Sequence, residues 1–211
     1  MSQDITPELL LHAYSVGVFP MASSRESREV HWMQPRLRGV FELDRFHISR
    51  SLRKRLLQGG YEVSVNRDFA GVVRACADRP STWINAQIYD LYEQLHARGA
   101  AHSLEVWCRD TLIGGVYGVA LGGAFFGESM FSRRTNASKI ALAYLVHRLR
   151  AGGFVLFDTQ YITPHLASLG AVEIPRADYE ARLARALPLA ADFTPKGYCP
   201  LPSSVVSPSS G

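Results

Sequence analysis

Cysteine is scarce in this sequence. The three present, Cys76, Cys108 and Cys199, lie far apart, with no Cys-x-x-Cys and no histidine pair at ligand spacing. That argues against a disulfide framework and against structural zinc. Long apolar runs are missing as well, none approaching the roughly 20 residues that span a bilayer. Met1 to Thr6 is polar and lacks the apolar core of a signal peptide, so nothing directs export. A reduced, cytoplasmic protein with no membrane partner is expected. No Gly-x-Ser-x-Gly, P-loop or dinucleotide fingerprint occurs, and His12, His47 and His165 stand without triad partners. Excess charge is small too: 23 Lys and Arg against 19 Asp and Glu give a formal net charge of +4. The distribution of charge therefore carries more information than its total.

What is present is ordinary globular material, 47% hydrophobic and 20% charged over 211 residues. It suffices for one medium domain or a small one joined to a larger. Thr6-Pro7-Glu8 opens a helix, with Thr as N-cap and Pro at the first helical position, and Leu9–Val16 continues it. Val30–Met33 and Gly39–Leu43 read as short strands. Ser49 to Gln58 reads as a helix, Tyr61–Val65 alternates as a strand, and Asn66 is expected to cap a helix over Asp68–Ala77. Ile84–Arg98 is a further helix, ended by Gly99. Strands follow at Ser103–Cys108, Thr111–Leu121 and Ala124–Glu128. A long helix capped by Asn136 or Ser138 then reaches Arg150, and Phe154–Asp158 is an apolar run of buried-strand type. Thr163-Pro164 starts a short helix through Leu169, Ala171–Ile174 is a strand, and Ala177–Leu187 is helical. Ser203–Gly211, rich in Ser and Pro, reads as a disordered tail. Meander strands, long helix, strand, short helix, strand is the order of the Gcn5-related N-acetyltransferases, which concerns architecture and leaves function open.

Three segments can carry chemistry. Gly127-Glu128-Ser129-Met130-Phe131-Ser132 leads through Arg133, Arg134 and Lys139 into the long helix, whose N-terminal N–H groups suit an anionic or carbonyl ligand. The plainer alternative is a capped loop with solvated arginines. Asp158-Thr159-Gln160 ends the apolar strand, where a carboxylate can be held by neighbours and orient an adjacent polar side chain, or merely cap the Thr163 region. On the helix His47–Leu57, Arg50, Arg53 and Lys54 fall on one side, opposite Ile48, Leu52 and Leu56. With Arg45 and Arg55, five of the eleven residues 45–55 are cationic and none is acidic. Such a face suits a phosphate backbone, or is simply solvated. Trp32, Trp83, Tyr92 and Phe125 are base-stacking platforms or core.

The following strings stand in order along the chain: Leu10-Leu11-His12-Ala13-Tyr14, Gly17-Val18-Phe19-Pro20, His47-Ile48-Ser49-Arg50-Ser51-Leu52, Trp83-Ile84 and His102-Ser103-Leu104-Glu105-Val106-Trp107. After them come Gly114-Gly115-Val116-Tyr117-Gly118, Gly127 to Ser132, Asn136-Ala137-Ser138-Lys139, Asp158-Thr159-Gln160 and His165 to Ala171. Each string alone is weak, but the ordered set resembles the leucyl/phenylalanyl-tRNA–protein transferase family. The resemblance implies an α+β fold: a small N-terminal α/β domain with the basic helix (1–60), an acetyltransferase-like catalytic domain (61–190) and a partly disordered tail (191–211). It implies transfer of Leu or Phe, less readily Met, from aminoacyl-tRNA to proteins with N-terminal Arg or Lys, marking them for N-degron degradation. Trp83, Met21 and Ser129 would bind the terminal adenosine, Met21 standing where family members often carry Trp. Val116, Phe125, Leu142, Leu145 and Phe157 would line the aminoacyl side-chain pocket. Asp158, Gln160 and Glu128 would be catalytic, and Arg50, Arg53, Lys54 and Arg55 would hold the tRNA. No metal or cofactor is implied, and a monomer is expected.

An aminoacyl ester is already activated, so forming a peptide bond from it needs neither ATP nor metal. The acceptor amine has an ordinary pKa near 8, so roughly a tenth is neutral at pH 7. The site must orient it, take its proton and stabilise an oxyanion. In one route Asp158 polarises Gln160, whose amide oxygen accepts from the amine; in another the ribose hydroxyl handles the proton and both residues only position. An acyl-CoA N-acetyltransferase would share the architecture, but Arg133-Arg134-Thr135-Asn136-Ala137-Ser138 lacks the glycines of its pyrophosphate loop. A non-catalytic RNA-binding module would explain the basic helix and Trp83, but not Asp158-Thr159-Gln160 behind a buried strand.

Overall fold

In the computed structural model, which describes residues 5–27 and 29–207, the chain starts with α1 (Pro7–Ser15), β1 (Phe19–Ala22), β2 (Val30–Met33) and β3 (Leu37–Phe41). It continues through α2 (Arg50–Gln58), β4 (Glu62–Val65), α3 (Phe69–Ala77), α4 (Ala86–Ala97), β5 (Ala101–Cys108), β6 (Thr111–Leu121) and β7 (Ala124–Ser132). Then come α5 (Ala137–Ala151), β8 (Leu156–Gln160), α6 (Pro164–Ala167), β9 (Ala171–Pro175), α7 (Arg176–Ala186) and α8 (Pro202–Val205). β1 and β2 form an antiparallel ribbon, and the other strands form one sheet in the order β4-β5-β6-β7-β8-β3-β9. Every pair in it is antiparallel except β7 with β8. Helices cover both faces. Tyr14, Val72, Ile88, Tyr92 and Tyr179, from α1, α3, α4 and α7, pack with Tyr117, Val119 and Phe126 of the sheet. Leu52, Leu56, Leu145 and Val205, from α2, α5 and α8, pack with Leu104, Val116 and Phe157 on the other side. Burial on both faces is why β6 reads as a continuous apolar run rather than an alternating one. Gly114 lets α5 close on the sheet, since a Cβ there would stand 2.5 Å from that of Ala137.

The acetyltransferase-like element order is present, with several local differences. Asp68, not Asn66, caps α3, its carboxylate accepting from the Gly71 N–H at 2.8 Å. Neither Asn136 nor Ser138 caps α5 by its side chain; the Ser138 N–H donates instead to the Ser132 hydroxyl at 3.3 Å. β7 runs on to Ser132, so the expected loop after Glu128 is strand. β1 escaped the sequence reading because Pro20 sits in it; in a two-stranded ribbon a proline's missing N–H can face outward. The expected division at residue 60 is no break in the sheet, because β3, from before it, lies hydrogen-bonded between β8 and β9. The expected disordered tail is corrected for residues 203–207: α8 forms, Val205 and Val206 are buried, and Phe193 upstream is buried too. The expectations for residues 1–4 and 208–211 lie outside the described residues.

Candidate active site

β7 and β8 pair in parallel only over Ala124–Phe126 and Leu156–Asp158. Beyond that the two strands part, and a cavity of about 290 Å³ opens between them. Gly127 to Met130 of β7 and Thr159 and Gln160 of β8 form two of its walls, Met21, Arg79 and Trp83 lie on another side, and Val116, Leu142, Phe157 and Leu166 make it apolar elsewhere.

A bulge turns two successive polar residues of β7 to one side at this cavity. Gly118 is paired with Gly127 but Tyr117 with Ser129, which leaves Glu128 as an extra residue in β7. A bulge interrupts the alternation of faces and re-aims a side chain. Glu128 and Ser129 consequently share the side on which Tyr117 meets α1 and α4. Glu128 Oε1 accepts from the Tyr14 hydroxyl at 2.7 Å, and Oε2 accepts from Tyr92 at 2.7 Å and from Gln160 Nε2 at 2.9 Å. Burial pushes the Glu128 carboxyl up to about 7, against the hydrogen bonds from Tyr14, Tyr92 and Gln160, which pull it down. A buried carboxyl titrating near neutrality in a cleft is the physical profile of an acid–base group.

A second bulge faces it. Gly39 pairs with Gln160 and Val40 with Asp158, so Thr159 is the extra residue of β8. A Cβ on Gly39 would stand 2.8 Å from Thr159 Oγ1 and 2.9 Å from the Tyr161 carbonyl carbon, so only glycine fits. Gln160 adopts φ +63°, a region that a non-glycine residue holds only when its surroundings enforce it. Asp158 enforces it: its Oδ1 accepts from the Gln160 backbone N–H at 2.7 Å. Asp158 is wholly buried and does not line the cavity. Arg38 Nη2 donates to its Oδ2 at 2.6 Å, Arg38 Nε to its Oδ1 at 2.9 Å, and the Tyr179 hydroxyl to Oδ2 at 2.8 Å. The Arg38 guanidinium lies 4.5 Å from the centroids of both Phe19 and Tyr179. The expected polarisation of the Gln160 side chain by Asp158 is therefore corrected. Asp158 holds the backbone, and the Gln160 side chain turns to Glu128.

Residues 40–184, well over half of the chain, match the model of the leucyl/phenylalanyl-tRNA protein transferase family, and residues 3–36 match that family's N-terminal domain. A leucyl/phenylalanyl-tRNA–protein transferase of Cereibacter sphaeroides is 66% identical over 206 residues, covering 98% of this chain and 96% of the relative. Another, of Ruegeria pomeroyi, is 65% identical over 189 residues, covering 90% of each. This chain belongs to the leucyl/phenylalanyl-tRNA–protein transferase family. Among solved structures, that of FemX is similar in fold alone, with a TM-score of 0.51 at 12% identity over 82% of this chain and 68% of that one.

Of the residues that the family resemblance nominated, the structure brings Met21, Trp83, Ser129, Glu128, Gln160, Val116, Leu142 and Phe157 to the one cavity. Phe125 and Leu145 are not among its lining residues. Phe125 stacks on Phe193 at 5.2 Å and meets Phe157 edge-on, while Leu145, on α5, is fully buried in the core. Both are packing residues. On α2, Arg50, Arg53 and Lys54 are exposed and Leu52 and Leu56 buried, as the periodicity requires. Arg53 nevertheless donates to the Val206 carbonyl at 2.9 Å and Arg55 to that of Gly59 at 2.6 Å, so each is tied to its own fold. Sequence reasoning missed Arg79, whose Nη2 donates to Ser129 Oγ at 3.2 Å and to the Met130 carbonyl at 3.0 Å on the cavity wall. It also missed Arg38, because the strand was read as Gly39–Leu43 and begins in the structure at Leu37. The role of Tyr14 had no local signal at all.

Proposed function

We propose that this protein transfers Leu or Phe, less readily Met, from aminoacyl-tRNA to the N-terminal Arg or Lys of acceptor proteins, acting as a monomer and marking its products for degradation. The observation that carries this reading is one cavity with an apolar part, a base-sized aromatic at Trp83 and a buried carboxyl, Glu128, held by the Gln160 amide, in a chain of this family. Trp83 and Met21 clasp the terminal adenine; a thioether serves as one side of such a clasp because it contacts ring faces favourably. Ser129 and Arg79 hold the ribose–phosphate end. Val116, Leu142 and Phe157 receive the side chain by shape. Apolar pockets discriminate a methylene by only about 1–3 kcal/mol, which accounts for a group of accepted side chains rather than one. Asp158 positions Gln160, and the exposed cations of α2 meet the tRNA body.

Incubating the protein with labelled leucyl-tRNA, labelled acetyl-CoA and a peptide with N-terminal Arg tests it. Leucine should appear on the peptide α-amine and acetate should not. Acetyl transfer, or tRNA binding without transfer, would overturn the reading.

A further inference from the structure

Behind the cavity, Tyr14, Tyr92 and Glu128 make more close oxygen contacts than two phenols and a carboxylate have hydrogens to fill. Glu128 Oε1 to Tyr14, Glu128 Oε2 to Tyr92, and Tyr14 to Tyr92 are each 2.7 Å. Oxygens that close need a hydrogen between them. With Glu128 ionised, two hydrogens serve three contacts, and one contact sets lone pairs face to face. A third proton, on Oε1, reverses the Tyr14 contact and closes the ring: protonated Glu128 donates to Tyr14, Tyr14 to Tyr92, and Tyr92 to Oε2. Oε2 keeps its second donor, Gln160 Nε2 at 2.9 Å. The phenols have little freedom to swing apart, since both side chains are fully buried, with Tyr14 at 4.8 Å from Phe126 and Tyr92 at 5.2 Å from Tyr117.

We propose that Glu128 with Tyr14 and Tyr92 is the proton store of the transfer reaction, taking the proton that the attacking amine loses and returning it to the leaving ribose oxygen. This rests on the aminoacyl-transfer reading above. The amine lone pair forms the N–C bond while the carbonyl π pair moves to oxygen, and the nitrogen, now cationic, yields one proton to the Glu128 carboxylate. When the tetrahedral centre collapses, the C–O bond to the ribose breaks with its pair on oxygen, and the proton passes from Glu128 to that oxygen. Nothing is oxidised or reduced. Glu128 faces Tyr14 from α1, Tyr92 from α4, Tyr117 from β6 and Gln160 from β8. Asp158 and its partner Arg38 stand behind Gln160, and Arg79 lies on the cavity wall. Burial holds the tyrosines well above their ordinary range, so they stay protonated and Glu128 is the member that cycles. Gln160 is a positioning residue.

The test uses the full chain with leucyl-tRNA and an N-terminal-Arg peptide from about pH 5 to 9, plus the infrared carboxylic C=O band without donor. Because the carboxylate is the base, kcat/KM should rise with pH through about 7, and the infrared band should vanish over the same range. Glu128→Gln should lose the step near 7, keeping only the rise that the acceptor amine itself sets near 8, and should lose the band and roughly 10²–10⁴ in kcat. Tyr14→Phe with Tyr92→Phe removes two donors to the anion, so the limb and the band should both move to higher pH. Should Glu128→Gln not fold, the tyrosine variants carry the test. A Glu128→Gln enzyme that keeps its kcat and the step near 7 overturns the proposal, as does a double tyrosine variant with both midpoints unmoved. A protein that moves no leucine while the infrared titration persists overturns the transfer reading, and the role with it, but leaves the ring standing.

Discussion

At the scale of single residues, Asp158 and Glu128 are two buried carboxylates with opposite company. Asp158 meets a guanidinium, a phenol and a backbone N–H, and the ion pair lies wholly inside the protein. Glu128 meets only neutral donors. The first arrangement builds a rigid support for Gln160; the second leaves a carboxyl whose charge comes and goes. Asp158→Asn keeps the volume but strands the Arg38 charge among Phe19, Tyr179 and the sheet. Breaking one side of a buried pair costs about 3–5 kcal/mol, so denaturant unfolding should show a loss of that order. A variant as stable as the wild type would mean that Arg38 finds another partner, and that the pair does not hold the site.

At the scale of elements, α2 divides its cations between two tasks. Arg53 and Arg55 fasten the C-terminal segment and the turn at Gly59. Among the described residues, the side chains of Arg50 and Lys54 have no hydrogen-bond or ion-pair partner. Removing those two charges, as Arg50→Gln with Lys54→Gln, should weaken tRNA binding and lower the slope of log K against log salt by about one per charge. A minimal aminoacyl-adenosine donor should be used as before. An unchanged slope would show the face to be merely solvated. Arg53→Gln, by contrast, should act on stability, because the Val206 carbonyl loses its donor.

At the scale of the whole molecule, Glu128 couples the reaction's proton to the fold. Its carboxyl titrates near 7 in the folded state against an ordinary value of 4.5. Between those values the native state binds more protons than the unfolded chain, so stability falls as pH rises. The contribution is fully present below about 4.5 and lost as pH passes through about 7. At roughly 1.4 kcal/mol per unit it amounts to on the order of 3 kcal/mol. Urea unfolding at pH 5 and pH 8 should show the wild type losing that much more than Glu128→Gln over the interval. Equal losses in the two proteins would mean that burial does not shift this carboxyl.

The sequence by itself determined most of the elements and their order, β1 and α8 excepted, because helix and strand periods and glycine stops are read within a few residues. It also marked Gly127-Glu128-Ser129 and Asp158-Thr159-Gln160, since each string is contiguous. Only the tertiary structure decided what those strings do. Alternation along β7 and β8 does not reveal an extra residue, so the bulges at Glu128 and Thr159 exist only as a register against β6 and β3. Arg38 and Asp158 lie 120 residues apart, and Tyr14 and Glu128 lie 114 apart. Both pairs meet because β3 inserts beside β8 and because α1 packs across the sheet. Buried apolar residues of one core look alike in sequence whether strand or helix carries them, which is why Phe125 and Leu145 were indistinguishable from Val116 and Leu142. The tail misled for the same reason: Val205 and Val206 sit in a polar, proline-flanked stretch, and only the apolar surface of α2 and α5 makes ordering them favourable.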